Sequence, residues 1–332
     1  MFRFVLVLAF LALPSGPART QTPAPPPAPP ATGQLTLTFP ERSPLSARED
    51  LLERTGVPEK EIAESDPQGA RYDLAKESFS VYVPGAYKPD GSWGLFVWLS
   101  PTESGRTPSA EIEELLAKRR LLWVGPNGAG NERKRWYRYG LALDAVHNMR
   151  KLYHLDARRI YVGGYSGGGR ISSVLAVVYP EVFEGGFYLF GCDYLRPLPM
   201  RDRPGAHYVP LYPRPSRAAW KLVRERNRYV FLTGDTDVNK LQTQDTAQAY
   251  RKDGFAHVTY VEVPNRGHMG PMEPSWFGEG LAKLDEGVPR PARGGSSSKG
   301  PGETIHAANR GPGGVATRIF AAFPFLSAAI TR

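Results

Sequence analysis

The stretch Arg159-Ile160-Tyr161-Val162-Gly163-Gly164-Tyr165-Ser166-Gly167-Gly168-Gly169-Arg170 decides the reading of the fold. Within it, Gly164, Ser166 and Gly168 form a Gly-x-Ser-x-Gly motif. Its flanks give the motif meaning: the apolar run Ile160 to Val162 precedes it, and Ile171 to Val178, apolar nearly all round, follows it. Turning from strand to helix at one residue strains the backbone, and glycines on either side remove the Cβ clashes that would forbid the turn. Ser166 Oγ then stands at the carboxyl end of a sheet, beside a helix N-terminus that favours negative charge. A phosphate loop would require Lys-Ser or Lys-Thr after the glycines, and a dinucleotide loop a different glycine spacing. Neither is present, so the stretch reads as a nucleophile elbow.

Outward from this turn, continuous apolar runs recur at Gly94–Leu99, Leu121–Val124, Phe187–Phe190 and Tyr229–Leu232. Such runs are expected when both faces of a parallel sheet are covered. Val258 to Val263 is similar but alternating. Ser78 to Val83 also alternates and ends at Pro84, as an edge or outer strand does. Between these runs, Ala142, Val146, Met149 and Tyr153 recur on one helix face ending before Asp156. Thr246–Lys252 and Trp276–Leu284 are shorter helical segments, and Ser46-Ala47-Arg48-Glu49 has capping-box spacing for a helix start. Residues 194–226, rich in Pro and Arg, read as an irregular excursion. Strand and helix alternate, which predicts an α/β fold: a doubly wound, mostly parallel sheet with helices on both faces.

A nucleophilic serine needs a base, and on such a sheet the chain order is serine, acid, histidine. Of the six histidines, only His268 lies in a loop directly after a late strand, in Val263-Pro264-Asn265-Arg266-Gly267-His268. The acid is expected after Tyr229–Leu232, where Thr233-Gly234-Asp235-Thr236-Asp237 offers two carboxylates. Gly-x-x-Asp spacing from Gly234 selects Asp237 to orient the imidazole and stabilise its protonated form, with Asp235 capping the turn. Two donors are needed for a tetrahedral oxyanion. One is the backbone N–H of Gly167. The other comes from Ser100-Pro101-Thr102-Glu103; Pro101 has no N–H, so Thr102 is chosen, with Glu103 second. This chemistry calls for neither metal nor organic cofactor.

Gly164-Tyr165-Ser166-Gly167-Gly168, Gly234-Asp235-Thr236-Asp237 and Gly267-His268 together resemble the α/β-hydrolase superfamily. Within it they resemble the secreted branch that includes polyhydroxybutyrate depolymerases and feruloyl esterases. The resemblance covers residues 72–284. It implies an α/β-hydrolase fold and ester cleavage through an acyl-enzyme intermediate. That branch usually carries His-Gly where this chain has Ser100-Pro101. The alternatives are a peptidase or acyltransferase with the same three residues, or a non-catalytic binding protein on the same fold.

The chain has 332 residues, and its ends differ from its middle. Arg3 followed by the apolar stretch Phe4 to Leu13 predicts a signal peptide over 1–20, too short to span a bilayer. Residues 21–33 read as a Pro-rich linker, 34–286 as the catalytic domain, and 287–332 as a flexible basic tail rich in Gly, Pro and Ser. The formal charge is +9, but 287–332 hold six Lys/Arg against Glu303, and 1–33 hold Arg3 and Arg19. The middle is left with +2, which disfavours nucleic-acid binding by the folded part. The single Cys192 excludes an intramolecular disulfide. The run Asn131 to Arg138 reads as a solvated loop; if it faces the cleft, Arg133 and Trp136, with Tyr165, contact substrate. The expectation is an exported (periplasmic or extracellular) serine esterase acting on a small or oligomeric ester, without stable membrane insertion.

Overall fold

The computed structural model describes residues 31–65 and 72–289. The expected signal peptide, most of the Pro-rich linker and nearly all of the basic tail lie outside the described residues. The strands are β1 (Gly33–Leu37), β2 (Phe79–Val83), β3 (Trp93–Leu99), β4 (Leu121–Pro126), β5 (Leu155–Tyr165), β6 (Gly185–Leu189), β7 (Leu198–Pro199), β8 (His207–Tyr208), β9 (Arg228–Gly234) and β10 (His257–Val263). Eight of them form one sheet in the order β1-β2-β4-β3-β5-β6-β9-β10, and β7 pairs with β8 in a separate ribbon. In the main sheet β1–β2 and β2–β4 are antiparallel and every later pair is parallel.

The helices are α1 (Arg48–Thr55), α2 (Glu59–Ser65), α3 (Ala110–Arg119), α4 (Arg135–Leu152), α5 (Gly167–Val178), α6 (Arg217–Glu225), α7 (Lys240–Lys252) and α8 (Pro274–Leu284). The period-2 alternation of the strands assigns these helices to two faces. Leu95, Val97 and Leu99 of β3 join one core with residues of α4 and α5, such as Leu141, Val146 and Leu175. Phe96 and Trp98, between them, join a second core with Ile112 and Leu116 of α3 and Phe277 and Leu281 of α8. Leu122 and Val124 against Leu121 and Trp123 repeat the split on β4, and Tyr229 and Phe231 against Val230 and Leu232 on β9. All seven residues of β3 are buried. That two-sided burial is why the runs are apolar without interruption.

Several expectations are corrected. β2 lies inside β1, whose first residue, Gly33, is the last of the expected linker. The alternation Leu35, Leu37, Phe39 is its signal. Ser46 does not cap α1. It ends a short 3₁₀ turn, and its hydroxyl donates to Asp144 Oδ1 at 2.7 Å, in a buried cluster with the Ser43 amide and the Tyr72 hydroxyl. Burial raises the Asp144 carboxyl above its ordinary range, and those donors oppose the rise. The 194–226 excursion contains α6, which buries Trp220 and Val223. The charged run at 131–138 is a loop only as far as Lys134; from Arg135 it is the first turn of α4. Among the described residues no helix is long and apolar enough to cross a membrane.

At the base of the sheet, fully buried Arg159 makes a two-pronged bond to Asp285, Nε to Oδ1 at 3.0 Å and Nη2 to Oδ2 at 2.8 Å. It also donates to the carbonyls of Ser92 and Arg119. Tyr161 adds a bond to Asp285 Oδ1 at 3.0 Å. This cluster ties Asp285, the residue after α8, to β5 at the end of the strand away from Ser166.

Candidate active site

Ser166 sits between β5 and α5 with φ 52° and ψ −117°, a conformation costly for any residue with a Cβ. Such strain is of order 1–3 kcal/mol and needs external support. The support is visible. Ser166 N–H donates to Leu189 O of β6 at 2.8 Å, and Arg170 N–H returns to Ser166 O at 3.1 Å. Glycine is obligatory two residues on, because a Cβ on Gly168 would lie 1.8 Å from Leu99 O, the last carbonyl of β3. The close approach of β3 to the start of α5 therefore sets the local sequence.

The structure brings the three expected residues into a row. Ser166 Oγ lies 2.9 Å from His268 Nε2, and His268 Nδ1 lies 2.8 Å from Asp237 Oδ1. The Asp237 side chain is fully buried, whereas His268 keeps 22% exposure. An ionised carboxylate only accepts, so the shared proton resides on Nδ1 and the Nε2 lone pair faces the Ser166 hydroxyl. Asp237 is itself fixed: Thr233 Oγ1 donates to Oδ2 at 2.6 Å, and Asn239 N–H donates to Oδ1 at 3.1 Å. Asp235 faces away from the imidazole. It accepts the backbone N–H groups of Asn265 and Arg266 at 2.9 and 3.0 Å, which hold its carboxyl below the usual aspartate range.

Gly167 opens α5, so its N–H has no partner within the helix. Thr102 departs from the expectation. Its N–H already donates to Ser100 Oγ at 3.1 Å, and the two hydroxyls are 2.9 Å apart. A serine accepting from the amide two residues on is a local turn preference, reinforced by Pro101 holding Ser100 extended. Behind this loop, buried Arg138 donates from Nη2 to Ser100 O at 2.9 Å and from Nη1 to Asn131 Oδ1 at 3.4 Å. Burial pushes its guanidinium down to about 10, still charged at neutral pH. Sequence reading named the run but not this role.

Of the three substrate contacts expected, Tyr165 borders a surface groove. It lines a groove of about 470 Å³ with Trp98, Pro101, Arg106, Pro108 and Met272. Its hydroxyl donates to His268 O, and its ring stacks on Phe190 at 4.8 Å. Burial raises its phenol above the ordinary range. Trp136 is 2% exposed and stacked on Tyr137 in the core, so it cannot line a cleft. Arg133 is engaged by Glu77 and by Gly128 O at 3.1 Å. Arg266 was given no role from the sequence, yet it donates to Pro271 O at 3.0 Å and to the Tyr165 hydroxyl at 3.4 Å, bracing the histidine loop.

A mostly parallel eight-stranded sheet, covered on both faces, ends at a strained serine with histidine and acid arriving on later loops. The chain has the α/β-hydrolase fold. No family model matches it. Feruloyl esterase B of Neurospora crassa is 56% identical over 34 residues, which are 10% of this chain and 12% of that protein's length. Esterase 2 of Thermogutta terrifontis with propionate bound is similar at TM-score 0.47 and 17% identity, over 65% of this chain and 90% of that one. The same esterase phosphorylated by paraoxon gives TM-score 0.45 and 15% identity, over 65% and 89%. On this fold, two apolar side chains flank the row: Val238 after the acid is 83% exposed and Met269 after the histidine 81%.

Proposed function

We propose that this protein is a serine hydrolase that cleaves carboxylic esters through an acyl-enzyme, and that it is exported. The observation that carries the reading is the row Ser166 Oγ–His268–Asp237, at 2.9 and 2.8 Å, on a serine held at φ 52°. In the proposed reaction Ser166 Oγ attacks the ester carbonyl while His268 Nε2 takes the hydroxyl proton. The tetrahedral oxyanion is stabilised by the Gly167 N–H at the start of α5. Collapse expels the alcohol, which receives the proton from His268 Nε2, and leaves the acyl group on Ser166. Water, deprotonated by the same nitrogen, then repeats the sequence and releases the acid. Buried Asp237 stabilises the imidazolium at both stages.

The groove with Trp98, Tyr165 and Met272, and the exposed Val238 and Met269, favour an ester with an apolar or aromatic part. Methyl ferulate is a rational first substrate, given the short likeness to a feruloyl esterase. Export rests on Arg3 and the apolar stretch Phe4–Leu13. The test is hydrolysis of p-nitrophenyl acetate, butyrate and octanoate and of methyl ferulate by the full chain, beside Ser166→Ala. Turnover that falls to background in Ser166→Ala supports the reading. Turnover unchanged by that substitution, or absent from the native chain on every ester, overturns it.

A further inference from the structure

The Thr102 amide, expected as the second oxyanion donor, is engaged by Ser100 Oγ at 3.1 Å. Another polar group packs against the residue that carries the first donor. A Cβ built on Gly167 would meet Asn131 Oδ1 at 2.0 Å, Cγ at 2.8 Å and Nδ2 at 3.1 Å, so the Asn131 amide lies directly against the Gly167 backbone. We propose that Asn131 Nδ2–H is the second oxyanion donor, a catalytic residue that partners the Gly167 N–H.

Four features of the site fit this role. The amide's orientation is determined, because Arg138 Nη1 donates to Asn131 at 3.4 Å and a guanidinium has no acceptor. Oδ1 must therefore face Arg138, and Nδ2 has no partner among the described residues. Asn131 is anchored by its own N–H to Pro101 O at 2.9 Å, so its loop moves with the loop after β3 rather than apart from it. Asn131 is exposed to solvent although its neighbours Ala129 and Gly130 are buried, which leaves the amide open to an incoming substrate. The charge of Arg138 behind Oδ1 polarises the amide and strengthens Nδ2–H as a donor.

This inference rests on the serine-hydrolase reading, and the experiment separates the two. Asn131→Ala, Asn131→Asp and Ser166→Ala are assayed on p-nitrophenyl butyrate with thermal melts of each. A donor to charge that develops in the transition state acts on kcat. Asn131→Ala and the near-isosteric Asn131→Asp are each expected to lower kcat about 10²–10³-fold, with KM within threefold and the melting midpoint unchanged. The affinity of butylboronic acid, which forms a tetrahedral adduct on serine, is expected to fall in step with kcat/KM. Ser166-dependent turnover with kcat within threefold in both Asn131 variants overturns the inference and leaves the reading intact. So does a loss confined to KM or accompanied by a lowered melting midpoint, which marks Asn131 as a loop anchor only. Turnover that does not depend on Ser166 removes both.

Discussion

Asp235 Oδ1 accepts the backbone N–H of Arg266 at 3.0 Å, so the acid two residues before Asp237 grips the loop that delivers His268. One short segment after β9 therefore does two things. Asp237 touches the imidazole, and Asp235 fixes where the imidazole stands.

The two carboxylates are expected to separate by mutation. Asp237→Asn should lower kcat by about 10³–10⁴, since the imidazole loses its tautomer lock and its compensating charge. Asp235→Asn should cost roughly tenfold or less, because an amide oxygen still accepts one of the two loop N–H groups. Steady-state kinetics on one p-nitrophenyl ester decide it; a larger loss at Asp235 reverses the assignment.

The same pair gives a pH dependence. Hydrogen bonds from Asn265 and Arg266 lower the folded-state pKa of Asp235 below its ordinary value. A depressed folded pKa means that its contribution to stability is complete above the unfolded value, about 3.9, and fades as pH falls through the folded value. The melting midpoint of Asp235→Asn should thus lie below that of the native chain at pH 7, and the gap should narrow as pH falls below about 4. A gap that is constant across this range sinks the linkage.

Trp136 packs in the core rather than in the cleft. Trp136→Phe is expected to leave KM for aromatic and aliphatic esters unchanged within twofold. It should cost about 1–2 kcal/mol in urea unfolding, the scale of a partly filled cavity. An increase in KM confined to aromatic esters would restore Trp136 to the binding surface.

At the other end of the sheet, Asp285→Ala strands the fully buried Arg159 charge and should cost about 3–5 kcal/mol. Replacing both partners, Arg159→Leu with Asp285→Leu, should recover part of that loss. Because the cluster sits beneath α8 and away from Ser166, kcat at 25 °C is expected to stay near native for whatever fraction folds. A double variant less stable than Asp285→Ala contradicts this account.

The sequence makes some of this legible and hides the rest for physical reasons. β3, β4, β6 and β9 are buried on both faces, so their apolar runs are unbroken and readable. β1 is half exposed and only five residues long, and its Leu35 and Leu37 were submerged in a Pro-rich approach. α3 carries Ile112 and Leu116 on one narrow stripe among charges, and α6 carries Trp220 and Val223 among arginines; two buried side chains are a weak periodic signal. At the site, Ser166, Asp237 and His268 are marked by glycines and by chain order, which are local properties. Arg138, Asn131 and Arg266 act across loops distant in the chain, and the Ser100 hydroxyl competes for the Thr102 amide. Such pairings exist only after folding.

The brace on Ser166 comes from Leu189, a residue made after it, and the acid and histidine come later still. During synthesis the chain therefore passes through a long interval in which the serine has neither its strained geometry nor a base. With no β6 to hold it, a φ of 52° relaxes to an ordinary turn. Whatever chemistry Ser166 performs therefore needs β6 and the loops after β9 and β10 all in place.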